Sequence, residues 1–156
     1  IPVIAAGGVW DRSDIEQMLA LGASGVQMGT RFITTNECDA DIRYKEFHLQ
    51  AKPEDVTLIF SPVGMPGRAL KNSFVEKALA ESPALEKRCL ASCLHTCQCR
   101  DQQKGYCIVQ VLDKAARGDV ENGLIFAGSN AGRANKIVSV AELMTELVAC
   151  PLDKAQ

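Results

Sequence analysis

The chain has 156 residues, a net charge of −2 and an apolar fraction of 47%. This length is sufficient for one domain with a buried core, and the small charge gives no electrostatic reason to expect nucleic acid or an anionic membrane as a partner. No apolar run approaches the ~18 residues of a membrane span, and no charged n-region of a secretory signal is visible. We therefore expect a globular, cytoplasmic protein.

The beginning of the chain predicts a strand, a helix and a second strand. The short apolar run VIAAG, residues 3–7, is typical of a fully buried strand. Asp11 or Ser13 can cap the following helix, and Gly22 can end it. A second buried strand is predicted over residues 25–32. Because a helix joins the two strands, we expect them to be parallel.

The rest of the chain alternates helical and turn-rich patterns. Residues 123–133 are interpreted as a short apolar segment that enters a glycine-rich loop, and Ser139 with Glu142 predicts the cap of the last helix. After Phe32 we predict a helix in the polar segment, a strand within 55–64 and a turn-rich stretch over 64–70. Helical periodicity follows over 74–94, with an interruption near Pro83. Two further helices are predicted over 107–118 and 138–149.

Glycines follow both predicted strands of the first unit. Gly7 and Gly8 end the first strand, and Gly29 with Thr30 ends the second. Parallel strands bring their carboxyl ends to one edge of the sheet, where α/β proteins bind ligands. Glycine lets the backbone approach an anion closely, and the Thr30 hydroxyl is a further donor. The pattern favours a phosphate site, although each glycine taken alone could simply permit a tight turn.

This constellation resembles the end of the barrel in nitronate monooxygenases, formerly called 2-nitropropane dioxygenases, which are related to the flavin-dependent enoyl-acyl-carrier-protein reductases. The stretches that carry the resemblance are IPVIAAGGVWDRSDIEQMLALGASGVQMGTRF and, more weakly, SPVGMPGRALKN and GLIFAGSNAGRANKIVSVAELMTEL. The resemblance implies bound FMN whose phosphate is held at the two glycine sites. The implied cofactor-binding residues are Gly7 and Gly8 on one side and Gln27, Met28, Gly29 and Thr30 on the other.

The implied fold class is α/β: the C-terminal portion of a (β/α)8 TIM barrel, contributing its last two βα units, followed by a mostly helical, Cys-rich C-terminal subdomain. The expected division is the barrel end over 1–50 and the subdomain over 51–156. Such a barrel needs ~250 residues, so we expect an N-terminal barrel portion upstream, including the family's histidine base. No catalytic residue is assigned in this chain, because neither His48 nor His95 occupies the family's position.

The resemblance implies an FMN-dependent oxidoreductase that oxidises nitronates or nitroalkanes with O2. An enoyl-thioester (enoyl-ACP) reductase that uses NAD(P)H is the alternative enzyme. A non-enzymatic module that binds a phosphate ligand, or senses redox state or metal through its cysteines, is the alternative of another class. The expected partners are a small-molecule substrate and the missing barrel portion, with neither nucleic acid nor membrane; a homodimer stays open.

Five of the seven cysteines lie close together in the sequence. The first three are spaced by four residues, which would align them on one face of a helix. The spacing matches no standard metal motif. Three interpretations of these cysteines therefore remain open: binding of zinc or an iron–sulfur cluster, a thiol redox function, and plain burial in the core. The candidate metal ligands are Cys89, Cys93, Cys97, Cys99 and Cys107.

The loop GSNAGR, residues 128–133, superficially resembles a phosphate loop. It lacks the Gly-Lys-Ser/Thr ending of a P-loop. In the resembled family this region follows the added subdomain, from where it can return to the rim of the active site. A direct ligand contact by Asn130 therefore stays open beside a purely structural role.

Overall fold

The computed structural model describes residues 1–85, 87–89, 92–93 and 95–148. Its strands pair in two separate two-stranded sheets. The strands are β1 (Ile4–Ala6), β2 (Gly25–Gln27), β3 (Val56–Phe60) and β4 (Pro66–Leu70), and the helices are α1 (Arg12–Ala20), α2 (Thr30–Ile33), α3 (Ile42–Gln50), α4 (Ser73–Leu79), α5 (Gln98–Asp101), α6 (Ile108–Ala116) and α7 (Val140–Val148), with short 3-10 turns at Pro53–Asp55 and Ala131–Arg133.

The predicted strand–helix–strand unit is confirmed. Strands β1 and β2 are parallel, with Ile4 opposite Gly25. The Asp11 side chain accepts a hydrogen bond from the Asp14 N–H, and the Asp14 side chain accepts one from the Asp11 N–H. Both carboxylates thus satisfy N–H groups that are free at the start of α1. Gly22 follows the helix with a φ of +97°, in the left-handed region that favours glycine at a helix end.

The prediction that β1 is buried is wrong for this chain. Val3 and Ile4 are 63% and 54% exposed. The apolar composition of the strand is suited to burial on both faces, but only β2 pairs with it among the described residues. Composition reports what a strand can bury, whereas burial depends on whether other segments cover it.

The predicted strand at 55–64 is confirmed as β3, but the stretch 64–70 is more regular than predicted. It forms strand β4, antiparallel to β3 with Val56 opposite Leu70 and Phe60 opposite Pro66. Pro66 stands at the first position of β4, where its missing N–H is tolerated. Gly64, with a φ of +86°, makes the intervening turn.

Asn72 joins the hairpin to the helices that cover it. Its side chain accepts from the Val75 backbone at 2.9 Å and so caps α4, while its amide donates to the Val120 and Gly123 carbonyls at 2.5 and 2.8 Å. Asn72 is only 8% exposed. The buried core on this side of the molecule comprises two groups of apolar residues, Ile59, Ala69, Phe74, Val75, Tyr106, Val111 and Leu124, and Leu70, Ala115, Ile125, Ala127 and Ala131.

The helical periodicity predicted over 74–94 holds only for its first part. Helix α4 ends at Leu79, and the described residues between 80 and 96 form turns and irregular chain; residues 86, 90, 91 and 94 lie outside the described part. Cys97 precedes the short helix α5 in an extended conformation. The predicted helical stripe of Cys89, Cys93 and Cys97 is therefore wrong.

The last helix returns to the first unit of the chain. Ser139 and Glu142 cap α7 as predicted, since the Ser139 hydroxyl accepts from the Glu142 backbone at 3.1 Å. The buried face of α7 consists of Leu143 and Leu147, and Arg31 forms an ion pair with Glu146 at 3.1 Å. Residues packed on this face include Ile15 from α1 and Met28 and Phe32 beside β2. No helix in the described ranges is both long and apolar enough to cross a bilayer.

Candidate functional site

Gly7 and Gly8 turn the chain sharply at the carboxyl end of β1. Their φ angles are +88° and +72°, and a Cβ placed on Gly7 would meet nothing within 4 Å. Outside the pairing of β1 with β2, neither N–H of this pair donates to a backbone carbonyl of the described residues. Close packing is therefore not the reason for glycine at position 7, whereas the positive φ favours it there, and backbone in this conformation can bind an anion.

The end of β2 lies on the same edge. Gly29 precedes α2, and a Cβ there would also meet open space. Gln27 is exposed, whereas Met28 packs partly into the core under α7. The Thr30 hydroxyl accepts from the Gly128 backbone at 2.7 Å, which leaves its own proton free to donate. We call the surface formed by Gly7, Gly8 and residues 27–30 the glycine edge.

The loop 128–133 forms hydrogen bonds with both sides of the glycine edge. The Asn130 amide donates to the Gly8 carbonyl at 2.6 Å, and the Gly128 N–H donates to the Thr30 hydroxyl. The Ser129 hydroxyl lies 3.7 Å from the position that a Cβ on Gly8 would occupy. From the sequence, Asn130 could be either a ligand contact or a structural residue. In the structure its side chain forms a hydrogen bond to the backbone of the glycine turn.

Arg133 extends this attachment to the start of α1. Its guanidinium pairs with Asp11 and, at 3.0 Å, with Asp14, and it lies 5.9 Å from the centroid of the Trp10 ring. Burial by itself raises the pKa of Asp14, but hydrogen bonds from the Trp10 and Asp11 backbones, together with Arg133, lower it overall. Asp14 is therefore ionised at neutral pH, and the loop is anchored by charge as well as by hydrogen bonds.

One cavity of the described part of the chain lies away from the glycine edge. It has a volume of about 560 Å³ and lies between the β3–β4 turn, the end of α4 and residues 98–106, without touching the glycine edge. The glycine edge faces open space at Gly7 and Gly29. Its chemistry, rather than its concavity, marks it as the candidate site.

The five candidate metal ligands do not assemble as predicted. Cys97, Cys99 and Cys107 are buried together with Cys89 packed against them, but Cys93 is exposed. No group of three or more His, Cys, Asp or Glu side chains has an arrangement that could hold a metal ion in the described ranges. The prediction of zinc or an iron–sulfur cluster is therefore not supported, because the helix that would have aligned these thiols does not form.

Two of these thiols influence each other's ionisation. A hydrogen bond with Cys99 lowers the pKa of Cys97, whereas burial raises the pKa of Cys99 to about 12. Their sulfur atoms are 3.2 Å apart. The sequence pattern does not reveal this pair, because the spacing of the cysteines favours partners one helical turn apart.

Neither histidine contributes to the glycine edge. His48 is 1% exposed, and its Nδ1 lies 3.0 Å from the Tyr44 carbonyl of its own helix. Burial lowers the pKa of His48, which keeps its ring neutral in the core. His95 is exposed, and its carbonyl accepts from Arg100 at 2.7 Å.

Comparisons with known proteins find the same family along nearly the whole chain. The family model described as nitronate monooxygenase matches residues 1–149. A probable nitronate monooxygenase of Staphylococcus saprophyticus is 42% identical over 77 residues, which are 49% of this chain and 22% of that protein. The (3aS,4S,5R,7aS)-5-hydroxy-7a-methyl-1-oxo-octahydro-1H-indene-4-carboxyl-CoA dehydrogenase of Mycobacterium tuberculosis is 40% identical over 84 residues, 54% of this chain and 24% of that protein.

Solved structures show the same relationship. FabK from Thermotoga maritima matches 96% of this chain with a TM-score of 0.75 and 31% identity, and the match covers 43% of FabK. Nitroalkane oxidase from Streptomyces ansochromogenes matches 96% of the chain with a TM-score of 0.69 and 26% identity, over 39% of that protein. The chain thus spans less than half the length of these relatives, and it belongs to the nitronate monooxygenase family.

Proposed function

We propose that the glycine edge holds the phosphate of FMN, with Gly7 and Gly8 on one side and residues 27–30 on the other. The observation that carries this proposal is the pair of glycines with positive φ, whose N–H groups donate to no backbone carbonyl outside the pairing of β1 with β2, together with the open space in front of Gly7 and Gly29. Backbone donors of this kind suit a phosphate group. The Thr30 hydroxyl supplies a donor that Gly128 keeps oriented.

We place this site in a (β/α)8 barrel of which residues 1–50 form the end, with residues 51–156 as a C-terminal subdomain. The exposure of Val3 and Ile4 supports further barrel strands beside β1 in the complete protein. Residues of the subdomain in turn complete the glycine edge, since Gly128 and Asn130 bind its two halves.

The complete protein is proposed to be an FMN-dependent oxidoreductase that oxidises a nitronate with O2. When bound, FMN would supply the redox chemistry between the anionic substrate and O2. This chain's own residues hold the phosphate and fix the two turns that position it. No acid or base for the reaction is assigned to this chain.

A flavin spectrum and two assays of the full-length protein test this function. We expect a visible flavin band, O2 consumption on addition of an alkyl nitronate, and no oxidation of NAD(P)H by an enoyl thioester. Reduction of the enoyl thioester by NAD(P)H without nitronate turnover would instead establish the reductase alternative, which the similarity to FabK supports. Absence of bound flavin would contradict both enzymes.

Replacing Asn130 with alanine should weaken FMN binding by about two- to twelvefold. This range corresponds to the ~0.5–1.5 kcal/mol that one neutral hydrogen bond contributes, here the bond from Asn130 to the Gly8 carbonyl. Flavin fluorescence titration of the apoprotein measures the change. Asn135→Ala, at an exposed position two residues beyond the same 3-10 turn, is the matched control. Equal affinity in the two variants would contradict a positioning role for Asn130.

A further inference from the structure

The cysteine-rich segment gathers its sulfur atoms in one place. Cys97, Cys99 and Cys107 are 6%, 0% and 2% exposed and form a common cluster, with Cys89 packed against it. Within this cluster the Sγ atoms of Cys97 and Cys99 lie 3.2 Å apart, in hydrogen-bond contact. Two thiols in direct contact are a chemical group in their own right, beyond the packing that single buried cysteines provide.

The backbone around this pair is fixed by hydrogen bonds. The Asp101 carboxylate accepts from the Cys97 backbone at 2.8 Å and so caps the turn that carries both thiols. The guanidinium of Arg100, the residue that follows Cys99, donates to Asp101 at 2.7 Å and to the His95 carbonyl at 2.7 Å. The two sulfur atoms are therefore held together by a local network that does not involve the glycine edge.

The short sequence separation distinguishes this pair from a structural crosslink. A disulfide stabilises a fold mainly by closing a long loop in the unfolded chain, and a bond between residues 97 and 99 would close almost none. Formation of a bond of ~2.05 Å requires the sulfur atoms to approach by only about 1.2 Å. A bond that forms easily and contributes little to stability is suited to reversible use.

We propose that Cys97 and Cys99 are a reversible dithiol–disulfide site, oxidised by hydrogen peroxide or an organic hydroperoxide. Cys97 is the member of the pair that reaches solvent. Its sulfur attacks one peroxide oxygen, the O–O bond breaks, and the thiol proton leaves with the second oxygen as water or an alcohol. The Cys99 sulfur then displaces the oxygen from the resulting sulfenic acid, which leaves as water with the Cys99 proton. Two thiols lose two electrons, and one peroxide is reduced.

The decisive measurement uses the full-length wild-type protein. The reduced, anaerobic protein is treated with one equivalent of hydrogen peroxide, denatured, alkylated with N-ethylmaleimide and digested with trypsin, which cleaves after Arg88 and Arg100. We expect two fewer alkylated thiols per chain, a loss of two hydrogens from the peptide 89–100, and fragments that place the bridge between Cys97 and Cys99. Dithiothreitol should restore both alkylation sites.

Single substitutions add a second readout. In Cys97→Ser and Cys99→Ser we expect no bridge in this peptide, and dimedone should trap a sulfenic acid on Cys97 when Cys99 is absent. Cys93→Ser, which removes the exposed thiol outside the cluster, should behave as wild type. If the serine variants fail to fold, the wild-type peptide map still decides.

Three results would overturn the proposal. Oxidation could fall first on Cys93, or the bridge could join Cys97 to Cys89 or Cys107. Alternatively, the purified protein could hold zinc or iron that protects the thiols until a chelator removes it. None of these results depends on flavin content, so the test is separate from that of the proposed FMN site.

Discussion

Replacing Gly7 with aspartate should lower the affinity of the full-length protein for FMN by at least about a hundredfold. The new side chain would enter the open space in front of the glycine turn, where we place the phosphate. Two like charges about 4 Å apart repel by about 4 kcal/mol at an effective dielectric constant of 20, and each 1.4 kcal/mol is a factor of ten in affinity. The dissociation constant of the apoprotein for FMN measures this effect.

Gly22→Asp is the matched control for this substitution. Gly22 also has a positive φ, +97°, and open space for a Cβ, so both variants carry the ~1–2 kcal/mol of left-handed strain. Gly22 lies beyond the opposite end of α1 from the glycine turn. We expect Gly22→Asp to lower the unfolding midpoint to a similar extent and to keep its flavin. Equal flavin loss in the two variants would assign the effect to folding rather than to the phosphate site.

Replacing Asn72 with alanine should cost about 2–4 kcal/mol of stability. The substitution removes the acceptor that caps α4 and both donors to the Val120 and Gly123 carbonyls. A lost helix cap costs ~0.5–2 kcal/mol, and a buried polar group left without a partner costs ~1–3 kcal/mol. Urea unfolding of the full-length protein, followed by circular dichroism, measures the difference.

Two further variants separate these contributions. Asn72→Asp keeps the capping oxygen but loses the amide donors and faces two carbonyl oxygens, so it should remain clearly destabilised. Asn36→Ala, at an exposed position, should lie within about 0.5 kcal/mol of wild type. If Asn72→Ala were as stable as Asn36→Ala, the connection between α4 and residues 120–123 would not support the fold.

The parts of this fold that the sequence predicts are those determined by neighbouring residues. The cap at Asp11 and the end of α1 at Gly22 each depend on chemistry within one helical turn. The same holds for Ser139 and Glu142 at α7. The glycine turn at the end of β1 was also expected, because the positive φ of Gly7 is a local backbone property.

The remaining features depend on residues far apart in the chain. Asn130 and Gly8 are separated by 122 positions, and Gly128 and Thr30 by 98, so no periodicity could reveal these bonds. Strand β4 was missed because Gly64, Pro66 and Gly67 favour a turn, whereas pairing with β3 decides the structure. The buried thiols were expected on one helical face, but tertiary packing gathers them without that helix.

The return of α7 to α1 has a consequence for the order in which the protein is made. Leu143 and Leu147 cover Ile15 and Met28, which leave the ribosome far earlier. At the ~5–20 residues per second of synthesis, the wait is on the order of ten seconds. Throughout that interval the nascent βαβ unit lacks its cover, and its glycine turns lack the loop that fastens them. A newly made chain therefore leaves this unit uncovered and both glycine turns unattached until residues 128–148 have been synthesised.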